Sequence, residues 1–119
     1  MLANLYSCQS QATNKSIGPA ALNQQIKTST NPVILDVRTA EEFKDGHLPN
    51  AINMDYYEDD FKTEMAKLSM GNTYVVYCET GGRSASAAKV MRKAGFQNVV
   101  ELDGGFSAWV DAKLPTVKD

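Results

Sequence analysis

The chain has 119 residues, 43% of them hydrophobic and 22% charged, with a formal net charge of −2. That suits one soluble domain of ordinary size, gives no basic footprint for nucleic acid or an anionic membrane, and contains no apolar run near the ~20 residues that span a bilayer. Two cysteines, Cys8 and Cys78, and a single histidine, His47, exclude a disulfide framework and a zinc centre of ordinary ligand spacing, so neither a metal nor a cofactor is expected.

Residues 1–14 read as a flexible N-terminal tail and residues 15–119 as one domain. Within the tail, a leucine three places before Cys8 resembles the end of a bacterial lipoprotein signal, but only seven residues precede Cys8. A cytoplasmic location is the default expectation. The alternative is a periplasmic or lipid-anchored protein, held through Cys8, if a signal segment precedes Met1.

Lys15–Ile17 is expected to form a short edge strand. "GPAALNQQIKT" suits a short helix with Pro19 at its start, where a missing N–H costs nothing, and with Ala20, Leu22 and Ile26 as its apolar positions. "NPVILDVR" is a near-continuous apolar run, the pattern of a strand covered on both faces. Thr39 and Glu42 have capping-box spacing for a short helix that Gly46 stops. A brief strand is expected around Ala51–Asn53. A helix is expected through "YEDDFKTEMAKLS", where Phe61, Met65 and Leu68 share a face. "NTYVVYC" is a second strong strand. "SASAAKVMRKAG" follows as a helix with Ala85, Ala88 and Met91 on one face and Gly95 past its end. "NVVEL" is a third strand, and "GGFSAWVDA" a last short helix. Alternating strands and helices predict an α/β fold, with a mostly parallel sheet and helices on both faces. Such sheets bind ligands beyond the carboxyl ends of their strands, and Cys78 lies at one of those ends.

The stretch "YCETGGRSASAA" gives that cysteine unusual neighbours. With a strand ending at Tyr77 and a helix beginning near Arg83 or Ser84, Glu79–Gly82 is the whole connection. Gly81 and Gly82 let it curl so that successive N–H groups face inward, forming a nest backed by a helix N-terminus. Such a nest favours the anionic form of a cysteine at its base without a histidine. Arg83 supplies a fixed cation or braces the loop.

Three stretches, "LDVRTAEEFKDGHLPNAIN", "VVYCETGGRSASAAKVMRKAGFQNVVELDGG" and "GGFSAW", make residues 15–114 resemble the rhodanese family of sulfurtransferases. The resemblance implies a doubly wound domain with five parallel strands and a nucleophilic Cys78 that carries a sulfane sulfur as a persulfide. It also implies a substrate-binding loop of Glu79, Thr80, Gly81, Gly82, Arg83 and Ser84. Asp36 and Arg38 would brace neighbouring loops, and an Arg38–Glu42 ion pair is one expected contact. Related phosphatases have one more residue between cysteine and arginine, so the tighter loop implies a terminal sulfur rather than a tetrahedral oxyanion.

The expected partners are a small-molecule donor, thiosulfate or a persulfide, and a thiol or cyanide acceptor, with a protein thiol as a further acceptor. A persulfide-carrying or sulfur-sensing module serving a partner protein is the alternative. A monomer is the default. Glu79, beside the nucleophile, is expected to oppose a dianionic donor. Asn50 stands where the family usually has glycine. His47 is expected to brace a turn, Phe106 and Trp109 to pack the last helix, and Gly104 and Gly105 to let the chain pass close to the loop. Tyr56, Tyr57 and the acids Glu58–Asp60 would line the entrance or begin a solvated helix. Cys8 in a tail lacks fixed geometry to resolve a persulfide.

Overall fold

A computed structural model of the chain describes residues 15–28 and 32–119. The expected tail, and with it Cys8 and the anchoring and resolving roles its position suggests, lies outside the described residues. The elements are β1 (Ser16–Ile17), α1 (Pro19–Thr28), β2 (Val33–Asp36), α2 (Ala40–Asp45), β3 (Ile52–Asn53), α3 (Phe61–Met65), β4 (Tyr74–Tyr77), α4 (Gly82–Lys93), β5 (Val99–Leu102) and α5 (Gly105–Asp111). The five strands lie in the order β1-β5-β4-β2-β3, and every neighbouring pair is parallel. The fold is therefore the α/β arrangement that the alternation predicts.

Strand parity sorts the core into two layers. Along β4 and just past it, Tyr74, Val76 and Cys78 face a cluster that holds Phe61, Met65, Ala87, Ala88 and Met91. Val75 and Tyr77 face the opposite cluster, with Leu22, Leu48, Leu102 and Trp109. The end of β4 thus delivers Cys78 to the side covered by α3 and α4. No helix among the described residues is long and apolar enough to cross a membrane.

Local chemistry sets the helix ends. The Thr39 hydroxyl accepts from the Glu42 amide at 3.2 Å, and Glu42 Oε1 accepts from the Thr39 amide at 3.0 Å. This is the expected capping box, and it starts α2. Helix α3 is shorter than its sequence pattern, because short turns consume its flanks. Asp55 Oδ1 accepts the Tyr57 amide at 2.8 Å, while Lys67 and Leu68 donate only three residues back. Phe61 and Met65 still reach the core, and Leu68 does so partly. Two apolar faces differ by one position from expectation. Ala20 and Ala85 are exposed; Leu22 is the buried residue of α1, and Ser84, Ala87, Ala88 and Met91 form the buried stripe of α4.

The start of α5 determines what the Cys78 loop can do. A helix leaves its first N–H groups without intrahelical acceptors. Here Phe106 N–H donates to the Cys78 carbonyl at 2.8 Å, and Ser107 N–H to the Glu79 carbonyl at 3.0 Å. In a planar trans peptide the C=O and N–H point in opposite directions. Turning both carbonyls toward α5 therefore turns the Glu79 and Thr80 N–H groups away from it. This contact needs a glycine at its centre: Gly105 has φ +61°, and a Cβ there would lie 2.6 Å from the Cys78 carbonyl oxygen and 2.7 Å from that of Glu79.

Gly105→Ala combines a left-handed backbone with a clash against main-chain atoms, and should cost roughly 2–4 kcal/mol. The expected readout is a Tm at least about 8 °C lower for a domain of this size, with slower modification of Cys78 by a thiol reagent in the remaining folded protein. An unchanged Tm would mean that the loop does not depend on this close approach.

Candidate active site

Cys78 is 1% exposed, yet it forms the floor of a cavity of about 330 Å³ lined by Tyr56, Tyr57, Thr80, Gly82, Arg83 and Ser86. Its Sγ accepts from the Ser84 amide at 3.4 Å and lies 3.5 Å from Ser84 Oγ, which donates to the Gly81 carbonyl at 3.2 Å. Between the sulfur and that amide, the N–H groups of Glu79, Thr80, Gly81, Gly82 and Arg83 take no acceptor among the described residues. Such a run of amides at the start of the 12-residue α4 is a concavity suited to negative charge. Gly81 alone supplies the unusual backbone, at φ +150°. Gly82 is already the first residue of α4 and needs no special angle, contrary to the expectation for both glycines.

Two guanidinium groups flank the loop, and both are occupied. Arg83 grips Glu42 with two hydrogen bonds, Nη1 to Oε1 at 2.7 Å and Nη2 to Oε2 at 3.2 Å. It also lies 5.6 Å from the centre of the Tyr57 ring. The hydrogen bonds from Arg83 hold the Glu42 carboxyl down to about 2, with burial opposing and the Thr39 amide assisting. The same bonds push Arg83 up, further into its charged form, against the cost of burial.

Arg38 is buried behind the loop. Burial works against its charge, but hydrogen bonds and attraction from Asp36 more than reverse that effect. Arg38 Nη2 donates to Asp36 Oδ2 at 2.7 Å and to the Gly46 carbonyl at 2.6 Å, while Nη1 donates to Glu79 Oε1 at 3.3 Å. Phe106 covers this group, with its ring centre 4.2 Å from Arg38 Cζ.

These contacts correct one expectation. Arg38 pairs with Asp36 and Glu79, not with Glu42, which belongs to Arg83. The Glu79 carboxylate turns toward Arg38. Its second oxygen accepts from Ser107 Oγ at 3.0 Å, and its side chain is not part of the cavity lining. The remaining loop residues come together as their spacing implies: Thr80, Gly82 and Arg83 line the cavity, while Gly81 and Ser84 shape its base. Asp36 and Arg38 brace the loop from behind.

His47 is a turn brace. Its ring stacks on Phe43 at 3.7 Å, and its Nδ1 lies 2.8 Å from the Phe43 carbonyl. Asn50 adopts φ +67°, a conformation that asparagine tolerates better than most residues. Sequence reasoning did not single out Ser86 or Ser107. Ser86 lies one turn into α4, at i+3 from Arg83, a spacing that could have marked it as a neighbour of the arginine. Ser107 had no local signal, because its partner Glu79 is 28 residues away.

The Glu42 carboxyl titrates near 4.5 when unpaired and near 2 in the fold. Between those values the unfolded chain binds the proton and the folded chain does not. The contribution is therefore complete above about pH 4.5 and is lost as pH falls toward 2. The pair is partly exposed, so its contribution should be about 1 kcal/mol. In urea titrations, Glu42→Gln should be less stable than the parent by that amount at pH 7, with the difference shrinking by pH 3. A difference independent of pH would contradict the linkage.

Comparison with known proteins agrees with this geometry. A family model described as "Rhodanese-like domain" matches residues 19–112. The Arabidopsis thaliana protein named "Thiosulfate sulfurtransferase 16, chloroplastic" is 38% identical over 92 residues, covering 69% of this chain and 77% of that protein. An uncharacterised Synechocystis protein is 34% identical over 109 residues, which is 92% of this chain, and the match spans 59% of that longer protein. The crystal structure of a rhodanese-related protein from Thermoplasma volcanium matches with a TM-score of 0.78 at 30% identity, covering 88% of this chain and 99% of that one. With a buried cysteine at the end of β4, a loop of amides without acceptors among the described residues behind it, and a family model that matches most of its length, the chain belongs to the rhodanese-like family.

Proposed function

We propose that this protein moves a sulfane sulfur from a donor to a thiophilic acceptor through a persulfide on Cys78. The observation that carries the reading is the position of Cys78 Sγ, on the floor of the cavity and against the Ser84 amide at 3.4 Å. The unpartnered amides of residues 79–83 surround the approach to it. A nearly buried sulfur at the base of a cavity suits attack on a terminal atom.

In the first half-reaction the Cys78 thiolate attacks the outer sulfur of the donor. With thiosulfate, an S–S bond forms to Cys78, the old S–S bond breaks, and sulfite leaves with the electron pair. With a persulfide R–S–SH, the thiolate R–S⁻ leaves instead, and the proton of the Cys78–S–SH product passes to that thiolate or to solvent. The loop amides of Glu79 through Ser84 hold the terminal sulfur of Cys78–S–S⁻, as preorganised donors at the point where charge resides. The Ser84 hydroxyl, which donates to Gly81 at 3.2 Å, can rotate to donate to the anionic sulfur. Arg83 fixes the start of α4 and Arg38 fixes the loop from behind. In the second half-reaction a nucleophile (cyanide, a thiol or a protein cysteine) attacks the outer sulfur and returns the Cys78 thiolate. Once Cys78 is ionised its attack requires no general base, and in the second half cyanide or an acceptor already present as thiolate attacks without one.

Incubating the protein with thiosulfate or glutathione persulfide should add about 32 Da, one sulfur atom, at Cys78. Cyanide or a dithiol should then remove it, and Cys78→Ser should abolish both loading and turnover. Loading without release to any small acceptor would instead favour a persulfide carrier for a partner protein. A Cys78→Ser variant that retains transfer would overturn the proposal.

A further inference from the structure

Building on the sulfurtransferase reading, we propose that Glu42 sets donor specificity. By cancelling the charge of Arg83, it directs the site to persulfides of neutral or cationic carrier thiols in preference to anionic donors such as the thiosulfate dianion. Glu42 is a positioning residue that acts through Arg83.

Arg83 is the single charged residue among the side chains that line the cavity. Both of its terminal nitrogens are committed to the two Glu42 oxygens. The Thr39 amide, at 3.0 Å from Glu42 Oε1, fixes the carboxylate from behind. The second guanidinium, Arg38, offers no surplus charge, because it faces both Asp36 and Glu79. Two cations against three carboxylates leave one negative charge around the loop. Beyond Tyr57, which is 69% exposed, Glu58, Asp59 and Asp60 are exposed, and none forms an ion pair among the described residues.

The loop amides can stabilise one terminal sulfur. A sulfonate-bearing donor would place its remaining charge in the outer cavity, among Tyr56, Tyr57, Thr80 and Ser86, with no uncompensated cation to receive it. A neutral persulfide has no such charge. The reaction Cys78–S⁻ + R–S–SH → Cys78–S–SH + R–S⁻ balances in atoms and charge, and the leaving thiolate departs with the carrier.

The test compares persulfides of cysteamine and of 2-mercaptoethanesulfonate, which carry a cationic and an anionic tail on the same two-carbon chain. Loading of Cys78 is followed by mass. The unaltered protein should load several-fold faster from cysteamine persulfide, and added salt should erase the preference. In Glu42→Gln, glutamine can still accept from the Thr39 amide and keep the capping box, while Arg83 regains its charge. The cationic-to-anionic ratio should then fall by roughly fivefold, and loading by thiosulfate should rise. The double variant Glu42→Gln/Arg83→Gln should restore the parental ratio, which a merely structural role for Glu42 would not do.

A ratio near one in the unaltered protein, or a ratio unmoved by Glu42→Gln, would overturn the proposal. If Glu42→Gln does not fold, the parental ratio and its salt dependence decide alone. Absence of loading from every probe would overturn both this inference and the sulfurtransferase reading. Loading from all probes without charge preference would overturn this inference only.

Discussion

Two hydrogen bonds between chain segments far apart in sequence determine what this site is. The first amides of α5 take the carbonyls of Cys78 and Glu79, and the peptide plane does the rest. Each carbonyl drawn outward sends the following N–H the other way, so a nest forms at the floor of the cavity without a metal or a charged side chain at its centre. The backbone of Gly105 lies almost against the backbone of the loop, and no other residue could occupy that space. The chemistry assigned to Cys78 rests on this contact more than on any side chain in the loop.

Around the nest the protein spends its charged groups on shape rather than on attraction. Arg83 and Glu42 join the start of α4 to α2, and the Thr39 capping box makes that carboxylate part of a helix start. Arg38 joins β2, the turn at Gly46 and Glu79. The Arg38–Asp36 pair is buried, and such a pair adds little net stability although removing one partner is costly; the Arg83–Glu42 pair is partly exposed and contributes modestly. What they provide here is a loop whose geometry is fixed in advance.

The fold and the placement of Cys78 at a strand's carboxyl end were legible because their signals are local. Apolar runs of strand length, alternating with helix-like segments, give the parallel sheet. The position of Cys78 between Tyr77 and a glycine pair gives the site. Thr39 and Glu42 announced their capping box three residues apart. Partner choice among the charged residues was not legible. Arg38 and Glu42 lie close in sequence, so they suggested a pair, but Arg38 already has Asp36 two residues away and Glu42 meets Arg83 across 41 residues. The side-chain direction of Glu79 was hidden for the same reason, since Ser107 and Arg38 hold it from distant elements. Helix α3 was overestimated because periodicity measures which residues face the core, not how far the hydrogen-bond ladder runs.

The placement of the sulfur has a further consequence. Tyr74, Val76 and Cys78 share one side of β4 only because side chains alternate along a strand. Exchange of Val75 or Val76 for another aliphatic residue would disturb packing and leave the Cys78 thiol where it is. Loss or gain of one residue between Tyr74 and Tyr77 would swing the thiol toward Trp109 and Leu22 in the opposite layer, away from α4 and its amides. In this strand, residue count is under tighter physical constraint than residue identity.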